Sequence, residues 1–70
     1  MKPTSAQKKF GKKVQYYRKE AGFTQEKLAE ITGLDRGYIS GVERGVRNPA
    51  IQNIERIAKA LKVKPSKLFE

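Results

Sequence analysis

The sequence predicts an all-α domain of five short helices, and two observations support this fold class. Apolar residues recur at steps of three and four, the spacing that lines one face of a helix. Glycines, prolines and residues that favour helix caps stand between these stripes. Because the 70 residues contain no internal repeat, low-complexity tract or linker, we expect a single domain over residues 1–70, with a flexible start at residues 1–4.

The first helix is predicted to begin after Thr4 or Ser5, either of which can act as its N-cap. Gly22 marks its end. Its apolar stripe, with steps of four, three and four, consists of Phe10, Val14, Tyr17 and Ala21.

The second helix follows Thr24, a good N-cap, and extends from Gln25 to about Thr32, with Gly33 at the point where a helix commonly stops. Its apolar positions are Leu28, Ala29 and Ile31.

The third helix has Asp35 as its predicted N-cap, reaches Val42 or Arg44, and ends at Gly45. Around it, Tyr38, Ile39 and Val42 share one face. The opposite face is predicted to carry Arg36, Gly37, Ser40, Gly41 and Arg44.

The fourth helix is predicted to start at Asn48-Pro49, and a fifth helix of one or two turns to open at Lys64-Pro65. The apolar stripe of the fourth helix consists of Ile51, Ile54, Ile57, Ala58 and Leu61. In the fifth, Leu68 and Phe69 can dock onto the rest of the domain.

Charge and composition narrow the classes of function. Sixteen Lys and Arg against seven Asp and Glu give a net charge of +9, which attracts polyanions and makes nucleic acid the leading candidate partner. The four lysines near the start form either a solvated helix face or a phosphate contact: Lys8, Lys9, Lys12 and Lys13. A membrane surface or acidic protein as partner, and RNA, are the alternatives to DNA.

Without cysteine or histidine the chain has no disulfide, no thiolate or imidazole metal site, and no residue for Ser-His or Cys-His catalysis. We therefore expect no enzyme, metal or cofactor. No apolar run approaches the length of a membrane span or signal-peptide core, which favours a cytoplasmic protein without membrane contact.

The second and third helices have the requirements of a helix-turn-helix. The second helix needs a small residue where it crosses its neighbour, and Ala29 meets this requirement. The turn needs a residue with a free backbone, which is Gly33. The third helix needs apolar side chains that point inward, and Ile39 and Val42 supply them. In this motif the outer face of the third helix reads the DNA major groove.

Three segments of the sequence resemble the Cro/C1-type (XRE) helix-turn-helix family: TQEKLA (24–29), LDRGYISGVERG (34–45) and RNP (47–49). Within that family the chain looks most like the controller proteins of restriction-modification systems, small dimers that regulate their own operon and the endonuclease gene. Phage-type repressors and antitoxin autoregulators of the same fold are the alternatives, and a nonspecific nucleic-acid-binding protein is more remote. The resemblance implies a lambda-repressor-like domain that binds double-stranded operator DNA as a homodimer without a small-molecule effector.

Arg36 lies at the start of the recognition helix, where it can donate two hydrogen bonds to a guanine, although a phosphate or solvent position is also open. Base contacts are predicted for Arg36, Gly37 and Ser40, with a neutral surface position as the alternative for Ser40. The resemblance implies that Arg47 also reaches a base. Phosphate contacts are predicted, partly from the resemblance, for Thr24, Gln25, Tyr38, Arg44 and Asn48. For Tyr38, the alternative to a phosphate contact is a position mainly in the core. Whether glycine at 37 and 41 serves close approach to DNA or is neutral stays open.

The resemblance further implies a partly buried ion pair between Arg18 and Glu43, joining the first and third helices. It also implies dimerisation through the fourth and fifth helices. The dimer candidates, for which docking into the core of the monomer competes, are Leu61, Val63, Leu68 and Phe69. The operator sequence and the sign of regulation stay undetermined.

Overall fold

The computed structural model of the protein describes residues 4–70, so most of the predicted flexible start lies outside the described residues. The order of elements is four α-helices and one 3₁₀ helix, with no strand among residues 4–70. Their bounds are α1 (Ser5–Glu20), α2 (Gln25–Thr32), α3 (Arg36–Arg44), α4 (Ile51–Leu61) and the 3₁₀ helix (Pro65–Phe69).

Side-chain caps set the start of the first three helices. At α1 the Thr4 hydroxyl accepts a hydrogen bond from the Gln7 amide (3.0 Å), and the Thr4 amide donates to the Gln7 side chain (2.9 Å). Thr24 accepts from the Lys27 amide at the start of α2, and Asp35 from the Gly37 amide at the start of α3. Since these capping bonds are local, the predicted boundaries of α2 and α3 agree with the structure.

The turn between α2 and α3 depends on Gly33. Its φ of 74° lies in the left-handed region, where a side chain is unfavourable, and its amide donates to the Ala29 carbonyl at 2.8 Å. This turn places α3 across α2, the arrangement that the sequence predicts.

The helix start predicted at Asn48-Pro49 needs correction, whereas the start predicted at Lys64-Pro65 agrees with the structure. Helix α4 begins two residues later, because Ala50 is extended (ψ 151°) and its amide lies 3.4 Å from the Tyr38 hydroxyl. The fifth predicted helix is a 3₁₀ helix of five residues, too short a segment to build a stable α-helix after Pro65.

One core joins all five elements. Its fully buried large side chains are Val14, Leu28, Ile39, Val42, Ile57 and Leu68. Ala29 is 7% exposed, which agrees with the small residue predicted at the helix crossing. Three residues predicted on apolar stripes are exposed instead: Ile31 on α2 is 46% exposed, Ile51 on α4 is 79% exposed, and Ala21 lies exposed just beyond α1.

Two of the four dimer candidates belong to the core of the monomer. Leu61 is 6% and Leu68 0% exposed, so neither side chain is available to a second copy. Their burial follows from the packing of α4 and the 3₁₀ helix onto the domain. Val63 is partly buried against the same core. Phe69 is exposed on one side, with its ring centroid 5.0 Å from that of Phe10.

A close backbone approach between α1 and α3 requires Gly11, a residue that the sequence did not single out. A Cβ at position 11 would lie 2.6 Å from the Glu43 carbonyl oxygen and also against the Val42 carbonyl oxygen. Both are backbone atoms, so a larger residue would push the two helices apart.

We expect Gly11→Ala to lower the free energy of unfolding by about 1–3 kcal/mol, because overpacking outweighs the better helix propensity of alanine. The measurement is urea unfolding followed by circular dichroism. Lys12→Ala, on the exposed side of the same helix, is the control and should leave stability nearly unchanged. A Gly11→Ala protein as stable as the parent would contradict the close approach.

Candidate nucleic-acid interface

Helix α3 has one buried face and one exposed face, as a recognition helix requires. Ile39, Val42 and Glu43 are buried. The residues that the structure leaves at least partly exposed are Arg36, Gly37, Tyr38, Ser40 and Arg44.

The prediction that Gly41 lies on the exposed face of α3 is wrong, because the structure buries this residue. A Cβ at position 41 would lie 3.2 Å from the Arg47 Cβ, and the Gly41 carbonyl accepts hydrogen bonds from the Val46 and Arg47 amides. The glycine therefore lets the segment after α3 fold back against the helix. Gly37, by contrast, is exposed.

Arg36 extends from the first residue of α3 into solvent, with 65% of its side chain exposed. Its Nη1 lies 3.6 Å from Oε2 of Glu26, which is itself exposed in the first turn of α2. This pair is worth little energetically in water. In the structure the guanidinium nevertheless lies near the start of α2, where its charge offsets that of Glu26.

The start of α2 offers backbone amides to an anion. The first amides of an α-helix have no partner within it, and here the Thr24 hydroxyl takes only the Lys27 amide. The amides of Gln25 and Glu26 thus lie at the positive end of the helix dipole, the arrangement that binds phosphate. Thr24 is exposed and Gln25 half-buried at this end.

A buried ion pair joins Arg18 of α1 to Glu43 of α3. Arg18 Nε donates to Glu43 Oε2 at 2.6 Å and Nη2 to Oε1 at 3.1 Å, with the two residues 8% and 7% exposed. Arg18 Nη1 also donates to the Phe23 carbonyl at 2.7 Å, before α2 begins. The two-pronged geometry fixes both the distance and the rotation of α3 relative to α1.

Gln25 extends this network, which sequence reasoning did not foresee. Its side-chain Nε2 donates to Glu43 Oε1 at 3.0 Å. The side chain of Gln25, a predicted phosphate contact, is therefore hydrogen-bonded to the carboxylate of the buried ion pair. Only a structure finds this link, because residues 25 and 43 are distant in sequence.

Tyr38 is at the centre of a second group, formed with the segment after α3. Its hydroxyl oxygen accepts hydrogen bonds from Asn53 Nδ2 (3.1 Å) and the Ala50 amide (3.4 Å), while Arg47 Cζ lies 5.3 Å from the ring centroid. Because the oxygen accepts in both bonds, its hydrogen is available to a phosphate oxygen. The ring of Tyr38 packs against the core, and its hydroxyl stays a predicted phosphate contact.

The remaining predicted contact residues lie around this group. Arg44 ends α3, and Arg47 and Asn48 follow it; all are exposed. The sequence did not single out Asn53, which anchors the Tyr38 hydroxyl to α4. The exposed parts of α3, the start of α2 and this segment together present guanidinium, hydroxyl and amide donors, the groups that bind phosphates and base edges.

Residues 4–70 contain no group of three or more acidic residues placed to hold a metal ion. Within the same range, no helix has the length and apolar character needed to cross a bilayer.

Comparison with known proteins points to one family. A helix-turn-helix family model matches residues 14–68. Among curated proteins, the control protein C.BamHI of Bacillus amyloliquefaciens is 48% identical over 62 residues, covering 87% of this chain and 76% of that protein. For some other curated regulators, the chain spans about half of their length (55% and 49%).

Solved structures of controller proteins have the same fold. The restriction-modification controller protein C.AhdI of Aeromonas hydrophila superposes with a TM-score of 0.91 at 44% identity, covering 94% of this chain and 100% of that one. The controller protein C.Esp1396I, solved as a tetramer with its natural 35 base-pair operator, has a TM-score of 0.84 at 41% identity and covers 94% of this chain and 87% of its own.

Breaking the ion pair from one side should be costly. We expect Arg18→Met to destabilise the protein by about 3–5 kcal/mol, enough to unfold much of a small domain, because Glu43 would remain buried without a partner. The double variant Arg18→Met/Glu43→Leu should recover a large part of that loss, since it removes both charges. Urea unfolding compares the two, and a double variant less stable than the single one would contradict this account.

Proposed function

The chain belongs to the Cro/C1-type helix-turn-helix family, and we propose that it is a transcriptional regulator of the restriction-modification controller kind that binds double-stranded operator DNA as a dimer. The observation that carries the proposal is the exposed start of α3, with Arg36 projecting beside the amide-rich start of α2. Helix-turn-helix proteins insert this part of the third helix into the major groove. The family is one of DNA-binding regulators, which is not an enzyme class.

We assign base reading to the exposed face of α3. Arg36 is the principal reader, because a guanidinium can donate two hydrogen bonds to guanine O6 and N7. Ser40, one turn further, supplies a hydroxyl, and Gly37 between them leaves room for the helix to approach the bases. Arg47, stacked on Tyr38, is placed to reach the edge of the site.

Phosphate contacts on either side of α3 position the helix. Thr24 and Gln25 supply one side from the start of α2; Tyr38, Arg44 and Asn48 supply the other. Such contacts fix orientation and contribute much of the affinity without reading sequence. The net charge of +9 raises the rate at which the protein meets DNA.

For the dimer we propose the surface formed by the start of α4 and the 3₁₀ helix. Among the large apolar residues within 4–70, Ile51 is the most exposed, at 79%, and Phe69 is 59% exposed. A shallow hollow nearby is lined by Phe10, Pro49 and Ile54. A symmetric dimer would place two α3 helices in successive major grooves, about one turn of DNA apart.

Regulation then follows from occupancy of the operator. The controller protein C.Esp1396I assembles on its operator as a tetramer, and we propose that this chain likewise responds to its own concentration without a small-molecule effector. A regulator of this kind acts in the cytoplasm, where its promoter lies.

The central prediction concerns Arg36→Ala. We expect the parent protein to bind a duplex from the region upstream of its own coding sequence more tightly than a scrambled duplex. Arg36→Ala should lose about 1–3 kcal/mol of that discrimination, because the guanine contact is removed. Fluorescence anisotropy over a series of salt concentrations measures both affinities.

Lys9→Ala is the matched control, since it removes one positive charge from the exposed side of α1. It should weaken binding to both duplexes equally. Binding by the parent protein that is indifferent to sequence would reduce it to a nonspecific basic protein, and equal discrimination by Arg36→Ala would remove Arg36 from the reading surface.

Dimerisation is tested by Ile51→Lys. The substitution should shift the protein towards monomer in sedimentation equilibrium, because a charge would be buried in the interface, while the circular dichroism of the fold stays unchanged. Ile31→Lys, at another exposed isoleucine, is the control and should leave the dimer intact. An Ile51→Lys protein that dimerises as well as the parent would place the interface elsewhere.

A further inference from the structure

A cleft between α2 and α4 is lined by no residue of the recognition helix. Its volume is about 510 Å³. The floor is apolar, formed by Phe23, Ile31 and Ala60, and the rim is cationic, formed by Arg56, Lys59 and Lys62. We propose that this cleft binds an acidic amphipathic helix of a partner protein.

The floor contains an apolar side chain that the fold does not cover. By its spacing, Ile31 belongs to the buried stripe of α2, yet it is 46% exposed. Phe23 and Ala60 beside it are only partly buried against the core. An apolar surface rimmed by polar residues is typical of a protein-binding site.

The rim carries positive charges that the protein does not use internally. Among residues 4–70, no salt bridge joins Arg56, Lys59 or Lys62 to an acidic side chain, whereas Arg18, Lys27, Arg36 and Lys67 each have one. Arg56 and Lys59 lie three residues apart on α4, a rise of about 4.5 Å along its axis. Carboxylates one turn apart on a partner helix have similar spacing.

Lys62 adds an independent observation. It is the C-cap of α4 with φ 59°, and it is the one residue other than glycine with positive φ among residues 4–70. Glycine is favoured at such a cap because it avoids the steric cost of a side chain. Lysine at this position has the steric cost that glycine would avoid, but its side chain places a third cation at the rim of the cleft.

Charge complementarity selects the occupant. A helix with leucines on one face and glutamates flanking them would place its apolar side chains on Phe23 and Ile31 and its carboxylates at the rim, the helix-in-groove mode of recognition. A DNA backbone would match the cations but would gain nothing from the apolar floor. This site shares no residue with the proposed DNA contacts, and it would let a regulator on its operator hold a second protein.

The probe is a fluorescein-labelled synthetic peptide of about 16 residues, designed as a helix with leucines on one face and glutamates beside them. A peptide of the same composition with the leucines dispersed around the helix is its control. We expect the patterned peptide to bind the full chain more tightly by anisotropy and to shift amide resonances of the cleft residues.

The test variant is Arg56→Glu/Lys59→Glu, which should weaken binding of the patterned peptide about tenfold or more by placing like charges together. Ile31→Ser should weaken it several-fold without changing the net charge. Lys9→Glu/Lys12→Glu, with the same change of charge on α1, is the matched control and should retain most of the affinity.

Four results would overturn the proposal. Equal binding of the two peptides, or equal loss in both charge-reversed variants, would mean general attraction to a basic protein. Greater loss of duplex binding in the Arg56→Glu/Lys59→Glu protein than in the control would assign the cleft to DNA. Resonance shifts of the cleft residues with dodecanoate but not with the patterned peptide would identify a small amphiphile as occupant. Because duplex binding is measured separately, its failure is distinguishable from failure of this proposal.

Discussion

The buried contact between Arg18 and Glu43 is the interaction on which the rest of the structure depends. It joins the last part of α1 to the last part of α3, and the same arginine holds the Phe23 carbonyl ahead of α2. Gln25 then links α2 to the same carboxylate. One charged pair thereby fixes the three helices relative to one another. A buried ion pair often contributes little net stability, so its importance here lies in the geometry it imposes.

That geometry determines how the reading surface is presented. Gly11 allows α1 to approach the carbonyl end of α3 without an intervening side chain, and the ion pair prevents α3 from rotating there. Tyr38, held by Asn53, ties the start of α4 to the same helix. Because its buried side is constrained at both ends, α3 can carry glycine and serine on its outer side without depending on them for packing.

Positive charge is distributed over different surfaces rather than gathered on one. Arg36 and Arg44 are the first and last residues of α3, and the lysines of α1 lie on the exposed side of α1. Arg56 and Lys59 line the cleft between α4 and α2. A net charge of +9 therefore does not by itself locate a binding site. The neighbours of each cation distinguish them: Arg36 adjoins a helix start, whereas Arg56 and Lys59 adjoin uncovered apolar side chains.

The sequence by itself determined the helical class, the bounds of α2 and α3, and the helix-turn-helix, because caps, turns and apolar periodicity act over a few residues. Its resemblance to a family also pointed to the partner of Arg18. Only the tertiary structure decided which apolar positions are covered: Leu61 and Leu68 lie in the core, while Ile31 is exposed. It also buried Gly41 and joined Gln25 to the ion pair. Periodicity assigns a residue to a face of its helix, but which neighbour packs there depends on contacts between residues far apart in the chain.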